Sequence, residues 1–354
     1  MGLFSKKSSS SYLGIDFGMS GIKLVELLNE KGRARLVTYA FAEFAEISHE
    51  KRYSSIVKEA SELLKKMAGQ AKITTKRCIT ALPIASVFSS VISVPATNDK
   101  ELKDAIAYQA KKLIPMPIEE ISLDSKVIDS EGNDKGKKVT HVLLTGAPKA
   151  LVKTYVDILA GAGLEPLALE TEGFAQIRSL VGRDRSTVMV IDIGALRTNL
   201  LVVERGVPFL SRSIATGGAA ITDAIAKTLS LPFDQAETMK KDIESMQQFA
   251  PAGDLTPLLD QLLKPIVDEV RYSFNLYQGQ GESGQQKRID KIIVTGGSSL
   301  LPRIPEYLTQ LMNVNAYRGD PWARVVYPED LRPVLQEIGP RFSVSVGCAM
   351  RDIE

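Results

Sequence analysis

The sequence predicts an α/β chain of two related domains, with a small strand–helix–strand–strand unit inserted into the first. Three observations carry that expectation. Residues 12–27, "YLGIDFGMSGIKLVEL", read as a strand, a glycine-rich turn and a second strand. Residues 187–214, "TVMVIDIGALRTNLLVVERGVPFLSRSI", repeat the design, with Asp192 in the place of Asp16 and Gly194 in that of Gly18. Two strand–Asp–x–Gly–strand units in one chain suggest an internal duplication. Residues 84–147 differ in texture from both halves and interrupt the first.

Each element follows from its residues. Tyr12, Leu13, Gly14 and Ile15 lead into the first turn, and Ile22, Leu24, Val25, Leu27 and Leu28 lead out. "RARLVTYAFAEF" gives a third strand. "KRYSSIVKEASELLKKMAG" spaces Ile56, Ala60, Leu63, Leu64 and Met67 for a helix that Gly69 is expected to stop. "RCITALP" is a strand closed by Pro83. Inside the insert, "VFSSVISVP" is a strand. "DKELKDAIAYQAKKLIPMP" is a helix stopped by prolines, with Leu102, Ile106, Ala110, Leu113 and Ile114 on a core-facing stripe. "ISLDSKVID" and "KKVTHVLLTGAP" are two strands joined by the polar "SEGNDKGK". Long α/β elements then resume. The boundaries expected are 1–83 and 148–186 for the first domain, 84–147 for the insert and 187–341 for the second domain. Residues 342–354 form a helix returning to the first.

Composition excludes several classes. The chain has 354 residues, 44% apolar and 24% charged, with a net charge of +2, so no global field points to nucleic acid. Cys78 and Cys348 lie far apart, and His49 and His141 have no second metal ligand nearby, so disulfide and zinc frameworks are not expected. No apolar run reaches the ~20 residues of a membrane-spanning helix. "MGLFSKKSSSS" lacks the apolar stretch of a signal peptide, and Leu3 and Phe4 beside Lys6 and Lys7 read as a loose terminus. A cytoplasmic protein is expected.

The chemistry lies in the turns. Glycines let backbone approach a ligand, and successive N–H groups make an anion-binding concavity. A carboxylate beside that concavity repels a bare phosphate, so Asp16 and Asp192 make sense with magnesium between, held through water. A third glycine element, "DKIIVTGGSSLLPRIPEYL", runs from a strand through Gly296 and Gly297 to a helix expected from near Leu301. It suits a base, ribose or phosphate.

With these three motifs in order, the chain resembles the actin-like ATPase superfamily over nearly its whole length. The fold implied is two domains, each of the ribonuclease-H-like kind. Residues 12–28 look like the first phosphate motif, 188–204 the second and 290–308 the adenosine motif. "LEPLALETEGFAQIRSL" and "FSVSVGCAMRD" resemble the two connecting helices. The resemblance implies ATP with Mg2+ near Gly18, Ser20, Gly21, Lys23, Gly194, Thr198, Gly217, Gly218, Gly296, Gly297 and Ser298. Glu237 and Lys240 would lie at the ribose and base. Gly217 and Gly218 themselves suit a phosphate or a plain tight turn equally.

Within that superfamily the insert and "VLLTGAPKALVKTYVDILAGAGLEPLALETEGFA" are similar to the PilM family of type IV pilus adaptors. The partner implied is the N-terminal tail of the membrane protein PilN, in a groove between the insert and the first domain. Through it the chain would join inner-membrane platform proteins and motor ATPases. Met19 and Asn199 stand where relatives carry a hydroxyl and a second carboxylate, and Ala195, Leu196 and Arg197 replace a glycine run, so slow hydrolysis is expected. The rivals are an FtsA-type filament protein, against which the lack of a tail after "VGCAMRDIE" counts, a small-molecule kinase, and a structural protein without ATP.

Overall fold

A computed structural model describes residues 10–44, 56–95, 99–132, 138–242, 256–281 and 286–353. Leu3, Phe4, Lys6, Lys7, His49 and most of the turn between the last two insert strands lie outside the described residues.

The chain opens with β1 (Ser11–Gly18), β2 (Gly21–Glu30) and β3 (Arg33–Glu43), an antiparallel meander. Helix α1 (Val57–Gln70) and strand β4 (Arg77–Leu82) follow. The insert is β5 (Phe88–Pro95), α2 (Asp99–Leu113), β6 (Ile121–Gly132) and β7 (Lys138–Pro148). Next come α3 (Lys149–Gly161), β8 (Glu165–Thr171) and α4 (Glu172–Gln176), which continues as a wider helical turn over Ile177–Val181. The second half has β9 (Val188–Ile193), β10 (Thr198–Glu204), β11 (Val207–Ile214), α5 (Gly218–Leu229), α6 (Phe233–Lys241), α7 (Thr256–Gln278) and β12 (Lys291–Thr295). It closes with α8 (Ile304–Met312), β13 (Ala316–Arg318), β14 (Val325–Val326), α9 (Arg332–Ile338) and α10 (Ser343–Met350).

The two main sheets have one design. Their orders are β14-β3-β2-β1-β4-β8 and β11-β10-β9-β12-β13, in each an antiparallel trio followed by two parallel strands, with β14 added parallel to β3 at the edge of the first. This is the duplicated actin-like architecture, with an α/β layer on each side of a central cleft. In the first domain one sheet face packs Leu13, Ile15 and Leu24 against Leu64, Tyr155 and Ile158 of α1 and α3. The other face packs Val25 and Leu27 against Trp322, Phe342 and Val346. The insert keeps its own small core, Ile106, Ala110 and Ile114 of the α2 region against Ile92, Val142 and Leu144.

Several local expectations shift. Helix α1 runs one residue past Gly69, to Gln70, and the chain then turns at Lys72, whose φ of 51° is left-handed. Leu113 is 40% exposed, because it sits one residue, or about 100° of helix, from the buried Ile106–Ala110–Ile114 row. The first half of "LEPLALETEGFAQIRSL" is strand β8, so the connecting helix begins only at Glu172. The helix expected near Leu301 starts at Ile304: Pro302 pushes Leu301 out of the helical region, to ψ 130°. The chain is back on the first domain by β14, which pairs with β3, well ahead of residue 342.

Candidate functional site

The two hairpins are built alike. Asp16 stands opposite Lys23 across β1–β2, and Asp192 stands opposite Asn199 across β9–β10. Directly opposed residues share a face of the ribbon, so each carboxylate has that neighbour beside it. Both faces line one cleft of about 830 Å³, within the range usual for small-molecule sites. Lys23 Nζ lies 3.2 Å from Asp16 Oδ2.

Beside Asp16 and Asp192 the cleft carries more negative than positive charge, with Lys23 as the cation that bears on Asp192. Asp192 Oδ2 accepts from Gln176 Nε2 at 2.6 Å. Burial, and then the charge of Asp16, push its carboxyl up to about 6, while Gln176 and Lys23 pull it back. A third carboxylate, Glu172, opens α4. Its Oε2 accepts from the Ile84 N–H at 3.0 Å and from Asn199 Nδ2 at 3.2 Å. Burial and the Asp16 charge push it up to about 8. Asn199 Oδ1 and Gln176 Oε1 are buried acceptors without a hydrogen-bond donor among the described residues. A group bearing positive charge and water-derived donors would relieve both conditions. Among the described residues no three His, Cys, Asp or Glu side chains cluster to hold a metal directly. One or two carboxylates acting through water are the usual protein share of a magnesium site.

Glycines make room around this charge. Gly296 has φ 86°, and a Cβ there would meet Asp192 Oδ1 at 2.3 Å. A Cβ on Gly218 would meet Ser298 Oγ at 2.0 Å. Gly18, Ser20, Gly21, Gly194 and Gly297 also line the cleft. Two expected residues do not. Thr198 is fully buried and donates to the Thr216 carbonyl at 2.7 Å, since it is next to Asn199 on a strand and points to the opposite face. Gly217 lies behind the lining. The start of α5 is closed by the second hairpin, with the Gly218 N–H on Gly194 O and the Ala219 N–H on Ala195 O, both at 2.8 Å. Gly217 and Gly218 thus form the turn that opens α5, and Gly218 also lines the cleft.

Lys240 is buried and gives its ammonium to Gly218 O at 3.0 Å, Thr222 Oγ1 at 2.7 Å and Glu237 Oε2 at 2.6 Å. An ammonium has three donors, so this lysine pins α5 to α6. Burial pulls its pKa down, against the pull of Glu237. Glu237 lines the cleft and pairs with Lys241 at 3.3 Å; Phe233, Leu300, Leu301 and Arg341 line the same cleft. Arg341 Nη1 reaches Glu43 Oε1 of the first domain at 2.6 Å. Arg197 is exposed and donates to Ser213 Oγ at 3.3 Å.

The cleft does not end at the carboxylates. It continues past Phe17 and Tyr155 to Pro83, Ser86, Pro148 and Leu151, where the insert leaves and rejoins the first domain. The sequence reading passed over Glu172 and this continuity. A glutamate following a strand, at the mouth of a helix inside a connecting segment, was the available signal.

The family described as "Type IV pilus assembly protein PilM" matches residues 14–353. The solved structure described as a PilM–PilN type IV pilus biogenesis complex is similar at 25% identity and TM-score 0.81, covering 97% of this chain and 98% of that one. MreB5 of Spiroplasma citri bound to ADP shares the fold at 13% identity and TM-score 0.51, over 95% and 94% of the two chains. The cell division protein FtsA of Neisseria meningitidis serogroup B is 25% identical over 223 residues, 58% of this chain and 52% of the relative. The chain thus spans about half the length of that relative.

Proposed function

As a chain that belongs to the PilM family of type IV pilus assembly proteins, this protein is, we propose, an ATP-binding actin-like adaptor that holds the N-terminal tail of PilN. It would work on the cytoplasmic side, attached to the inner membrane through partners and joining platform proteins to the motor ATPases. Among the described residues no helix is long and apolar enough to cross a membrane, consistent with attachment through others.

The observation that carries the reading is the single cleft that holds the facing Asp16 and Asp192 hairpins and runs on to the insert junctions. At one end, Lys23 and the glycine turns suit phosphates, and Asp16 and Asp192 suit magnesium through water. Magnesium there would offset phosphate charge and orient the triphosphate. Phe233, Glu237 and the Gly296–Gly297 loop suit the nucleoside. At the other end, the groove between insert and first domain suits an extended peptide. A relative described as a complex of PilM with PilN supports that partner.

Hydrolysis would be slow. Phosphoryl transfer depends on positioned charge, and Asn199 offers an amide where a carboxylate would order water. Calorimetric titration with ATP, with and without Mg2+, and with a synthetic PilN N-terminal peptide tests the reading. Saturable binding of both is expected, with turnover below about 1 s⁻¹. No heat with the peptide in either state would remove the PilN assignment.

A further inference from the structure

Two junctions join the insert to the first domain. The second passes through Pro148, which has no N–H to give. The first is the short turn Ile84–Ser86, ahead of β5. The Ile84 side chain is buried, and its N–H is taken at 3.0 Å by Glu172 Oε2. The same oxygen accepts from Asn199 Nδ2 of the second domain at 3.2 Å. Glu172 stands on the connecting helix, whose start is fixed by Thr171 Oγ1 accepting from the Phe174 N–H. One carboxylate oxygen therefore joins three bodies: the connecting helix, the cleft wall of the second domain and the entry to the insert.

We infer that Glu172 is a positioning residue that couples the contents of the cleft to the setting of the insert through the Ile84 amide. The inference rests on the nucleotide and peptide reading above. Glu172 lines the cleft, so a ligand that draws on its carboxylate, or orders water on Asn199 Oδ1 and so bears on the Asn199 amide that donates to Glu172 Oε2, acts on the oxygen that also holds the junction. A change at Ile84–Ser86 is passed to β5 directly. It also reaches β11 of the second domain, which touches both the turn and β5. Peptide bound beside Pro83, Ser86 and Pro148 would sense it, and by reciprocity would alter nucleotide affinity by the same factor.

The test removes the donor and leaves every cleft carboxylate in place. Pro83 is extended at ψ 134°, which accommodates a following proline, and Ile84 opens its turn with an N–H the turn does not use. Ile84→Pro deletes the N–H, and Ile84→Val keeps it while trimming the side chain. In the natural protein and in Ile84→Val, Mg-ATP should shift the PilN-peptide Kd by about 5-fold or more. In Ile84→Pro the ratio should fall to one while ATP still binds saturably. A ratio preserved in Ile84→Pro, or lost equally in Ile84→Val, overturns the coupling, as does a natural protein that binds both ligands independently.

A second measurement needs neither variant nor peptide. Amide hydrogen exchange at Ile84 in the natural protein should change when Mg-ATP is added, and no change overturns the inference. If the peptide fails to bind, this readout still decides the coupling while the partner assignment falls alone. If ATP fails to bind in the titration, the nucleotide reading and the coupling fall together.

Discussion

Asp192→Asn is expected to weaken magnesium-dependent ATP binding and, in the same protein, to raise the melting temperature at neutral pH. The two effects have one cause. Asp192 is held in a cleft where burial and the Asp16 charge push its carboxyl from 3.8 up to about 6. A carboxyl raised on folding favours the native state less once it ionises: its penalty is absent below about pH 4 and complete above about pH 6. Stability of the nucleotide-free protein should therefore fall as pH rises through that window. It should fall further towards about pH 8 as Glu172 ionises. The ceiling for Asp192 is about 3 kcal/mol, reduced by water reaching the cleft mouth. Asparagine keeps an oxygen for Gln176 and has no charge to lose. Its advantage over the natural residue should therefore be absent near about pH 4 and grow to neutrality.

Binding should move the other way, weakening Mg-ATP by the roughly 10–100-fold that loss of an outer-shell magnesium partner costs. Asp16→Asn supplies the contrast. It should weaken Mg-ATP similarly, but the relief it gives Asp192 and Glu172 is offset by leaving Lys23 without the carboxylate that lies 3.2 Å away, so a smaller stabilisation than that of Asp192→Asn is expected. Thermal melts at two pH values and an ATP titration read all of this. An Asp192→Asn protein that binds Mg-ATP normally would sink the magnesium assignment.

The contrast between these two aspartates shows what the sequence could and could not convey. Both hairpins were legible because apolar runs, glycine turns and their repetition are local signals. Cross-strand pairing was within reach too, since the spacing that opposes Asp16 to Lys23 also opposes Asp192 to Asn199. The same alternation turns Thr198 into the core, where it serves the Thr216 carbonyl. The roles of Glu172 and Lys240 were not legible in this way. Glu172 matters because α4 delivers it beside Ile84 and Asn199, distant in the chain. Lys240 was expected at the ribose and base; packing of α6 on α5 buries its ammonium among three acceptors. The early return of the chain to the first sheet was likewise hidden, because β14 is two residues long.

Gly347→Ala should be strongly destabilising, although alanine is the better helix former by about 1 kcal/mol. Helix α10 is buried along its whole length. On one side a Cβ at Gly347 would stand 1.9 Å from the Ala175 carbonyl oxygen of α4. On the other, α10 meets β1 so closely that a Cβ on Gly14 would stand 1.8 Å from Ser345 O. The helix therefore cannot relieve a clash on one side by moving into the other. Arg178 further fixes the crossing by donating to Gly347 O at 2.5 Å while binding Glu170 through two bonds of 2.8 Å. Overpacking commonly costs 1–3 kcal/mol where neighbours can shift, and here the neighbours are backbone, so a loss of about 3 kcal/mol or more is expected. Gly69→Ala is the control: that glycine lies within α1 with nothing within 4 Å of a new Cβ. It should stabilise by up to about 1 kcal/mol. Thermal unfolding of the pair then gives opposite signs for one chemical change. A Gly347→Ala protein melting at or above the natural one would mean that the two connecting helices do not cross at backbone contact.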